Sequence, residues 1–205
     1  ALTANTTASY NTAIGYNTLS TNILGARNVA IGRNALLTQN YGSATNSYNV
    51  AIGYASGESI TTGVQNTLIG GEAGDAITTG DSNTAVGYNS LGANTTGLAN
   101  VGLGQNSLAS NTTASDNTAL GSHSLDTNTT GASNTGVGRN ALRANTTASN
   151  NTAVGRDCLV ANTTGQRNTA VGSLSSQDIT TGDDNVAMGY LSLGSTTTGI
   201  ENVAI

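Results

Sequence analysis

Few side chains in this sequence have the chemistry of a catalytic or metal-binding group. His123 is the only histidine and sits at a repeat position that is otherwise mostly Asn, so no Ser/His/Asp arrangement is indicated. Cys158 is the only cysteine and replaces Ser, Ala or Thr of other repeats, which favours a small packed side chain over a reactive thiol. We therefore predict no catalytic residue and no cofactor, and we expect that the protein is not an enzyme.

Acidic side chains are scattered, whereas a repeated calcium site would need them in every repeat. Glu58 and Asp75 occupy equivalent places in adjacent repeats and could share a cation. Two exposed carboxylates that repel each other weakly through water are the simpler interpretation. We predict no metal site.

Three tyrosines are the strongest candidates for recognition: Tyr41, Tyr48 and Tyr54. They lie in or just after residues 37–48, where four extra residues interrupt a strict repeat. Tyrosine offers broad apolar contact with a polar tip, which suits sugar or protein surfaces. We predict an outward loop with receptor-binding tyrosines. The alternative is a tolerated insertion that binds nothing, because loops accept extra residues at little thermodynamic cost.

These residues belong to a chain built from one recurring word, such as Asn83-Thr84-Ala85-Val86-Gly87. Ten of the eleven intervals between the first Asn of successive words are 17 residues long, and one is 21. A short period along a whole chain indicates a solenoid. We number the positions of each repeat from this Asn, which occurs at residues 11, 28, 49, 66, 83, 100, 117, 134, 151, 168, 185 and 202.

Position five is Gly in every complete repeat. A turn that accepts only Gly indicates positive φ or a close approach of two backbones, so we predict structural turns there. The glycines are Gly15, Gly32, Gly53, Gly70, Gly87, Gly104, Gly121, Gly138, Gly155, Gly172 and Gly189.

Two positions change together in three repeats. Position nine is usually Leu and position twelve usually Asn, but the pairs Gly57/Ile60, Gly74/Ile77 and Ser176/Ile179 move the large apolar group from one to the other. Such an exchange is expected if both side chains reach one interior in which only one large group fits.

The recurring five-residue word is predicted to form a short strand. Positions two and four share one face, and position three, which is Ala or Gly in eleven of twelve repeats, lies on the other. Both faces are small or apolar, which is typical of a strand covered on both sides. Because a lone coil covers one side, we predict that position three lies at or near a chain-to-chain contact. The residues concerned include Ala30, Ala51, Ala85, Ala119, Ala153 and Ala187.

Stacked coils would place identical residues about 4.8 Å apart in columns, and twelve coils would make a rod on the order of 55 Å long. We expect the Asn columns to form ladders of side-chain amides. Paired threonines such as Thr95 and Thr96 also recur, and a regular Thr array would suit ice binding. Neighbouring residues on a strand point to opposite faces, so this pair fits a turn better.

Composition excludes several functions. The chain has net charge −5 and no basic cluster, which argues against nucleic acid as a partner. No apolar run approaches the length of a membrane span, so we expect no membrane insertion by this segment. Both chain ends fall inside a repeat, and we expect 1–205 to be a single array of about twelve coils from a longer fibre.

The segments Asn49-Val50-Ala51-Ile52-Gly53 and Asn185-Val186-Ala187-Met188-Gly189 resemble the head repeats of trimeric autotransporter adhesins of the YadA type. The longer unit containing Asn94-Thr95-Thr96-Gly97 resembles repeats of phage tail fibres and bacterial surface fibres. The resemblance covers the whole chain. It implies an all-β, left-handed parallel β-roll assembled as a homotrimeric fibre.

A segment of an extracellular fibre that spaces or presents a receptor-binding region is the function this resemblance implies. Its partners would be two further copies of the chain and a glycan or protein on a host or cell surface. Two alternatives remain: a purely structural surface filament, and an ice-binding solenoid that uses the Thr arrays.

Overall fold

The computed structural model describes residues 1–205 as a parallel β-solenoid of about eleven turns. One short strand per turn joins a twelve-stranded parallel sheet, and a second sheet has two strands. No helix of the structure has the length and apolar character needed to cross a bilayer. The strands are β1 (Thr12–Ile14), β2 (Gly25–Ala26), β3 (Val29–Ile31), β4 (Thr45–Asn46), β5 (Val50–Ile52), β6 (Thr67–Ile69), β7 (Thr84–Val86), β8 (Val101–Leu103), β9 (Thr118–Leu120), β10 (Thr135–Val137), β11 (Thr152–Val154), β12 (Thr169–Val171), β13 (Val186–Met188) and β14 (Val203–Ala204).

Register follows the sequence period. β11 pairs with β12 so that Thr152 lies beside Thr169, and across the insertion β3 pairs with β5 so that Val29 lies beside Val50. Each repeat position therefore forms a column along the rod, numbered here as in the repeat. The insertion therefore leaves the coils on either side of it in register.

Turns stack as regularly as strands do. Of 124 backbone hydrogen bonds, 101 lie outside the strands. Many of these join equivalent places in successive coils, as where the Thr78 N–H donates to the Thr95 carbonyl at 2.9 Å. Because each coil completes the hydrogen bonding of its neighbour, very little regular strand is needed to hold the backbone of the rod.

Three columns of non-glycine residues have left-handed backbone conformations: columns seven, nine and seventeen. Leu91 (φ 55°), Leu108 (φ 53°) and Leu125 (φ 52°) are examples from column nine. A large residue in this region carries strain of about 1–3 kcal/mol. Gly57 and Gly74 adopt the same φ in this column without that strain.

The glycines of column five are required on two grounds. The seven at residues 15, 32, 53, 87, 121, 155 and 189 have φ between 119° and 142°. A Cβ on Gly87 would also lie 2.6 Å from the carbonyl oxygen of Gly104 in the next coil. The predicted structural turns therefore all have positive φ, and all of these seven except Gly189 also have a close approach of two backbones.

The core is a narrow channel down the axis of the solenoid. A cluster of 22 buried residues fills it, mainly from columns three, eight, nine and twelve. The amide ladders predicted for the Asn columns are present. In column one the Oδ1 of each Asn accepts the backbone N–H of the next, as from Asn100 to Asn83 at 3.0 Å. In column twelve, side-chain amides bond to one another from Asn94 to Asn162.

Columns nine and twelve share one space, as their joint substitution predicts. A Cβ added at Gly74 would lie 2.8 Å from Cδ1 of Ile77. It would also lie 2.8 Å from Cδ2 of Leu68, the one large residue of column three, and Leu68 would likewise crowd a Cβ at Gly57. Leu68 thus uses room left by two missing leucines.

Candidate interaction surfaces

Column three lies inside the single chain. Ala30, Ala51, Ala85, Ala119, Ala153 and Ala187 are each 0% exposed and belong to the core cluster. The prediction that these alanines lie at a chain-to-chain contact is therefore wrong. The channel is narrow and already holds a Leu or Ile from each coil, so the smallest side chains of the strand point inward and the larger ones point outward.

The opposite side of the same strands forms what we call the outer face, made by columns two and four of the twelve-stranded sheet. Column two contains only Thr and Val, and column four contains only Val, Ile, Leu and Met. Ile14, Ile69, Leu103 and Met188 are more than one-third exposed, and the other complete-turn members of column four are half-buried. No charged residue interrupts either column over twelve strands. Soluble monomers rarely expose an apolar surface that is this continuous.

Tyr41 is a structural residue and cannot contact a receptor. It is 6% exposed, its hydroxyl donates to the Gly63 carbonyl at 2.7 Å, and the Asn49 amide donates to it at 3.2 Å. Burial raises the pKa of Tyr41 to about 12. The ring occupies space above Gly25, where a Cβ would lie 2.7 Å from it. The prediction of receptor binding by Tyr41 is wrong because the side chain packs inward.

The insertion is only partly an outward loop. Gln39 is fully buried in place of a column-twelve Asn, and its amide carbonyl accepts a hydrogen bond from Asn49 at 2.9 Å. Gly42, Ser43 and Ala44 are exposed. The extra residues thus both rebuild the interior of one coil and raise a ridge on its surface.

Tyr48 and Tyr54 are about half exposed and remain candidates for contact. Each is stacked with an arginine of the preceding coil: Arg27 Cζ lies 5.8 Å from the Tyr48 ring centroid, and Arg33 Cζ lies 5.6 Å from that of Tyr54. Arg27 Cζ also lies 4.9 Å from the ring centroid of Tyr10. The repeat position shared by Tyr10, Arg27 and Tyr48 could have revealed this stack from the sequence.

A surface depression lies beside that stack. This N-terminal groove has a volume of about 290 Å³. Residues 7–10 form one side, and Ala44, Thr45 and Asn46 after the ridge form the other. Leu24 and Ala26 lie between them. The repeat pattern of the sequence did not indicate this groove, because the groove depends on the one irregular coil.

The paired threonines lie in turns, and their hydroxyls differ in role. Column-thirteen hydroxyls donate to the carbonyl of the equivalent Thr in the next coil, as from Thr95 to Thr112 at 3.0 Å. Column-fourteen threonines such as Thr96 are exposed. The two columns therefore do not form one Thr surface.

Cys158, His123 and Asp75 are further side chains with reactive or titratable groups singled out by the sequence or by a shifted pKa. Cys158 is fully buried, its Sγ lies 3.2 Å from the Ala170 carbonyl oxygen, and burial raises the thiol pKa to about 12. His123 Nδ1 lies 2.9 Å from Asp126 Oδ2 at the surface. Burial raises the pKa of Asp75, and Glu72 and Glu58 add to that rise. No group of three His, Cys, Asp or Glu side chains is placed to hold a metal ion.

Comparison of the chain with protein-family models, with curated proteins and with solved structures found no match.

Proposed function

We propose that this chain is a structural and adhesive segment of an extracellular homotrimeric fibre, which spaces or presents a region that attaches to a host or cell surface. The observation that carries the proposal is the outer face. In every coil it carries an apolar residue in column four beside an uncharged Thr or Val in column two, and it has no cover in the single chain.

An unpartnered face of this kind favours association along the whole rod. Columns two and four are two residues apart on each strand and repeat about every 4.8 Å along the axis, so they form a nearly continuous strip about 50 Å long. Its Val, Ile, Leu and Met side chains are apolar, its Thr side chains add a hydroxyl beside a methyl group, and no charge must be desolvated when two such strips meet. Burial of the strip stabilises by about 25 cal/mol for each Å² of apolar surface removed from water.

The number of chains comes from the resemblance of the repeats to trimeric adhesin heads and tail fibres. Three rods with their outer faces turned toward a common axis would cover all three strips. The Thr columns of the turns (thirteen and fourteen), the exposed tyrosines and the ridge of the insertion would remain on the outside. Such a rod is a passive spacer, and we propose no catalytic activity for it.

Arginine substitutions at two outward columns test the proposal. Val137→Arg with Val154→Arg places charges in column four, and Thr147→Arg with Thr164→Arg places the same charges in the exposed turn column fourteen. We expect the column-four variant to sediment as a folded monomer and the column-fourteen variant to associate as the unmodified chain does. Equal association of the two variants would refute the proposed face.

Ice binding is a second candidate for the same face, favoured by a different feature of it. Seven outward threonines of column two stand beside aliphatic residues of column four in a long parallel sheet, with one repeat about every 4.8 Å. This function needs the face exposed to water, whereas the fibre needs it covered. Thermal hysteresis measured for a chain shown to be monomeric would support ice binding. A chain that associates and shows no thermal hysteresis would support the fibre.

A further inference from the structure

Aromatic and charged residues are unevenly distributed along the rod. The first 57 residues contain five of the seven tyrosines, two of the six arginines and none of the eleven acidic residues. The first acidic residue is Glu58, and all the others follow it. The coils before Glu58 are thus aromatic and weakly basic within an otherwise acidic chain, which favours an anionic ligand there.

The guanidinium of Arg27 is restrained in position and is available to bind such a ligand. Its guanidinium lies between the rings of Tyr10 and Tyr48, at 4.9 and 5.8 Å from their centroids. Its Nε donates to Asn46 Oδ1 at 3.1 Å, which fixes the plane of the group. The side chain is exposed, forms no ion pair, and neither terminal nitrogen bonds to another side chain or to a carbonyl. A restrained guanidinium loses little entropy when it binds a carboxylate through two parallel hydrogen bonds.

The N-terminal groove adjoins this arginine. Tyr10 and Asn46 line the groove and also contact Arg27. The ring of Tyr10 offers an apolar surface at the edge of the groove. Thr7, Ser9 and Thr45 add hydroxyl groups to the lining, beside the methyl groups of alanines. The volume of about 290 Å³ is close to the lower end of small-molecule sites.

We propose that the N-terminal groove binds a carboxylate-bearing saccharide. The sugar ring would pack on Tyr10, its hydroxyls would bond to the hydroxyl and amide groups of the lining, and its carboxylate would accept hydrogen bonds from the terminal nitrogens of Arg27. The inference deepens the attachment role proposed above and rests on it for its biological meaning. Copies of the groove on a trimer would add avidity to weak single contacts.

Titration with trigalacturonate tests the proposal, with the methyl ester of the same trisaccharide as a neutral control. Calorimetry should show binding of the acid and binding of the ester at least about tenfold weaker, because a charge-assisted hydrogen bond is lost. NMR shifts should map to residues 7–10 and 44–46. Equal binding of acid and ester, or binding of neither, would overturn the proposal.

Two arginine variants locate the site. Arg27→Gln should weaken trigalacturonate binding about tenfold or more. Arg33→Gln removes the equivalent stacked arginine of column six, which has no groove beside it, and should leave binding unchanged. Loss of binding in both variants, or equal competition by sulfate, would overturn the proposal in favour of general anion attraction.

Sedimentation of the same samples separates this inference from the fibre itself. Column seventeen is not part of the outer face, so Arg27→Gln should associate as the unmodified chain does. A trimer that does not bind trigalacturonate would contradict the groove proposal alone, and a monomer that binds it would contradict the fibre alone.

Discussion

Cys158 shows how a buried column changes the ionisation of a single side chain. Its thiol is enclosed by the coils on either side, and burial holds its pKa near 12 instead of the ordinary 9.0. The folded state therefore binds a proton that the unfolded chain releases above pH 9. This contribution is complete below pH 9 and is lost as the pH rises toward 12.

Replacement of this cysteine by the Ser found elsewhere in its column isolates the effect. Cys158→Ser should flatten the loss of stability between pH 9 and 10, a difference of about 1 kcal/mol by pH 10. Denaturant unfolding at fixed protein concentration measures it. The decline above pH 10 should remain, because Tyr41 keeps its pKa of about 12 in the folded chain against the ordinary 10.0. Parallel curves for the two proteins from pH 9 to 10 would contradict the assignment.

Tyr41 also shows why residue type alone misled the sequence interpretation. A tyrosine in an inserted segment suggests contact with a partner, yet this ring fills the space above Gly25 and its hydroxyl completes a buried network with Gly63 and Asn49. Gly25 occupies a column filled by Gly or Ala, so it gave no distinctive signal. Inward or outward packing of an insertion depends on room that only the assembled coils define.

At the scale of the element, substitutions of the turn glycines have two energetic costs that can be measured separately. One is backbone strain, and the other is a clash with the next coil. Gly87 and Gly189 have similar φ values, 133° and 119°, but only Gly87 has the next coil close to it. A Cβ on Gly189 would meet nothing nearer than 3.9 Å. Gly189→Ala should therefore cost only backbone strain, about 1–3 kcal/mol. Gly87→Ala should cost clearly more, because its methyl would also displace the Gly104 carbonyl. Equal losses in thermal or denaturant unfolding would show that the close approach has no importance.

The column-twelve ladder ends where its sequence changes. Asn162 is the last of five stacked asparagines, and Ile179 takes the next place. The buried Oδ1 of Asn162 consequently has no hydrogen-bond partner. An unsatisfied buried acceptor costs about 1–3 kcal/mol. This defect is a direct consequence of the exchange of large groups between columns nine and twelve.

A double-mutant cycle at residues 176 and 179 tests both ideas. Ser176→Leu alone should overpack against Ile179 and cost about 1–3 kcal/mol. Ile179→Asn alone should leave a cavity. The two changes together should recover the wild-type stability or exceed it, because Leu refills the channel and the new amide can donate to Asn162 Oδ1. Additive losses would show that the two columns do not share their space.

At this scale the sequence predicted the period, the parallel register, the turn glycines, the Asn ladders and the exchange of Leu for Ile. Each depends on the stacking of equivalent residues in successive coils, which the repeat in the sequence indicates directly. It did not predict which side of the strand is inside. Ala at position three and Val or Ile at position four both suit a buried face, and the deciding fact is the width of the channel. That width depends on Leu or Ile from a distant part of the same coil.

At the scale of the whole molecule, the inward direction of column three leaves columns two and four as the side of the sheet where chains can meet. The alanines are fully buried, whereas columns two and four present a long uncharged strip of Thr, Val, Ile, Leu and Met. Association through that strip would bury what a monomer leaves in contact with water, and the lining of the N-terminal groove includes no residue of columns two or four. The fibre and the recognition site are thus compatible on one rod.

The mass of the unmodified chain in solution tests the central claim most directly. Sedimentation equilibrium over a range of concentrations should give three times the chain mass of 20.3 kDa, with no folded monomer at micromolar concentrations. A stable folded species of 20.3 kDa would contradict association through the outer face.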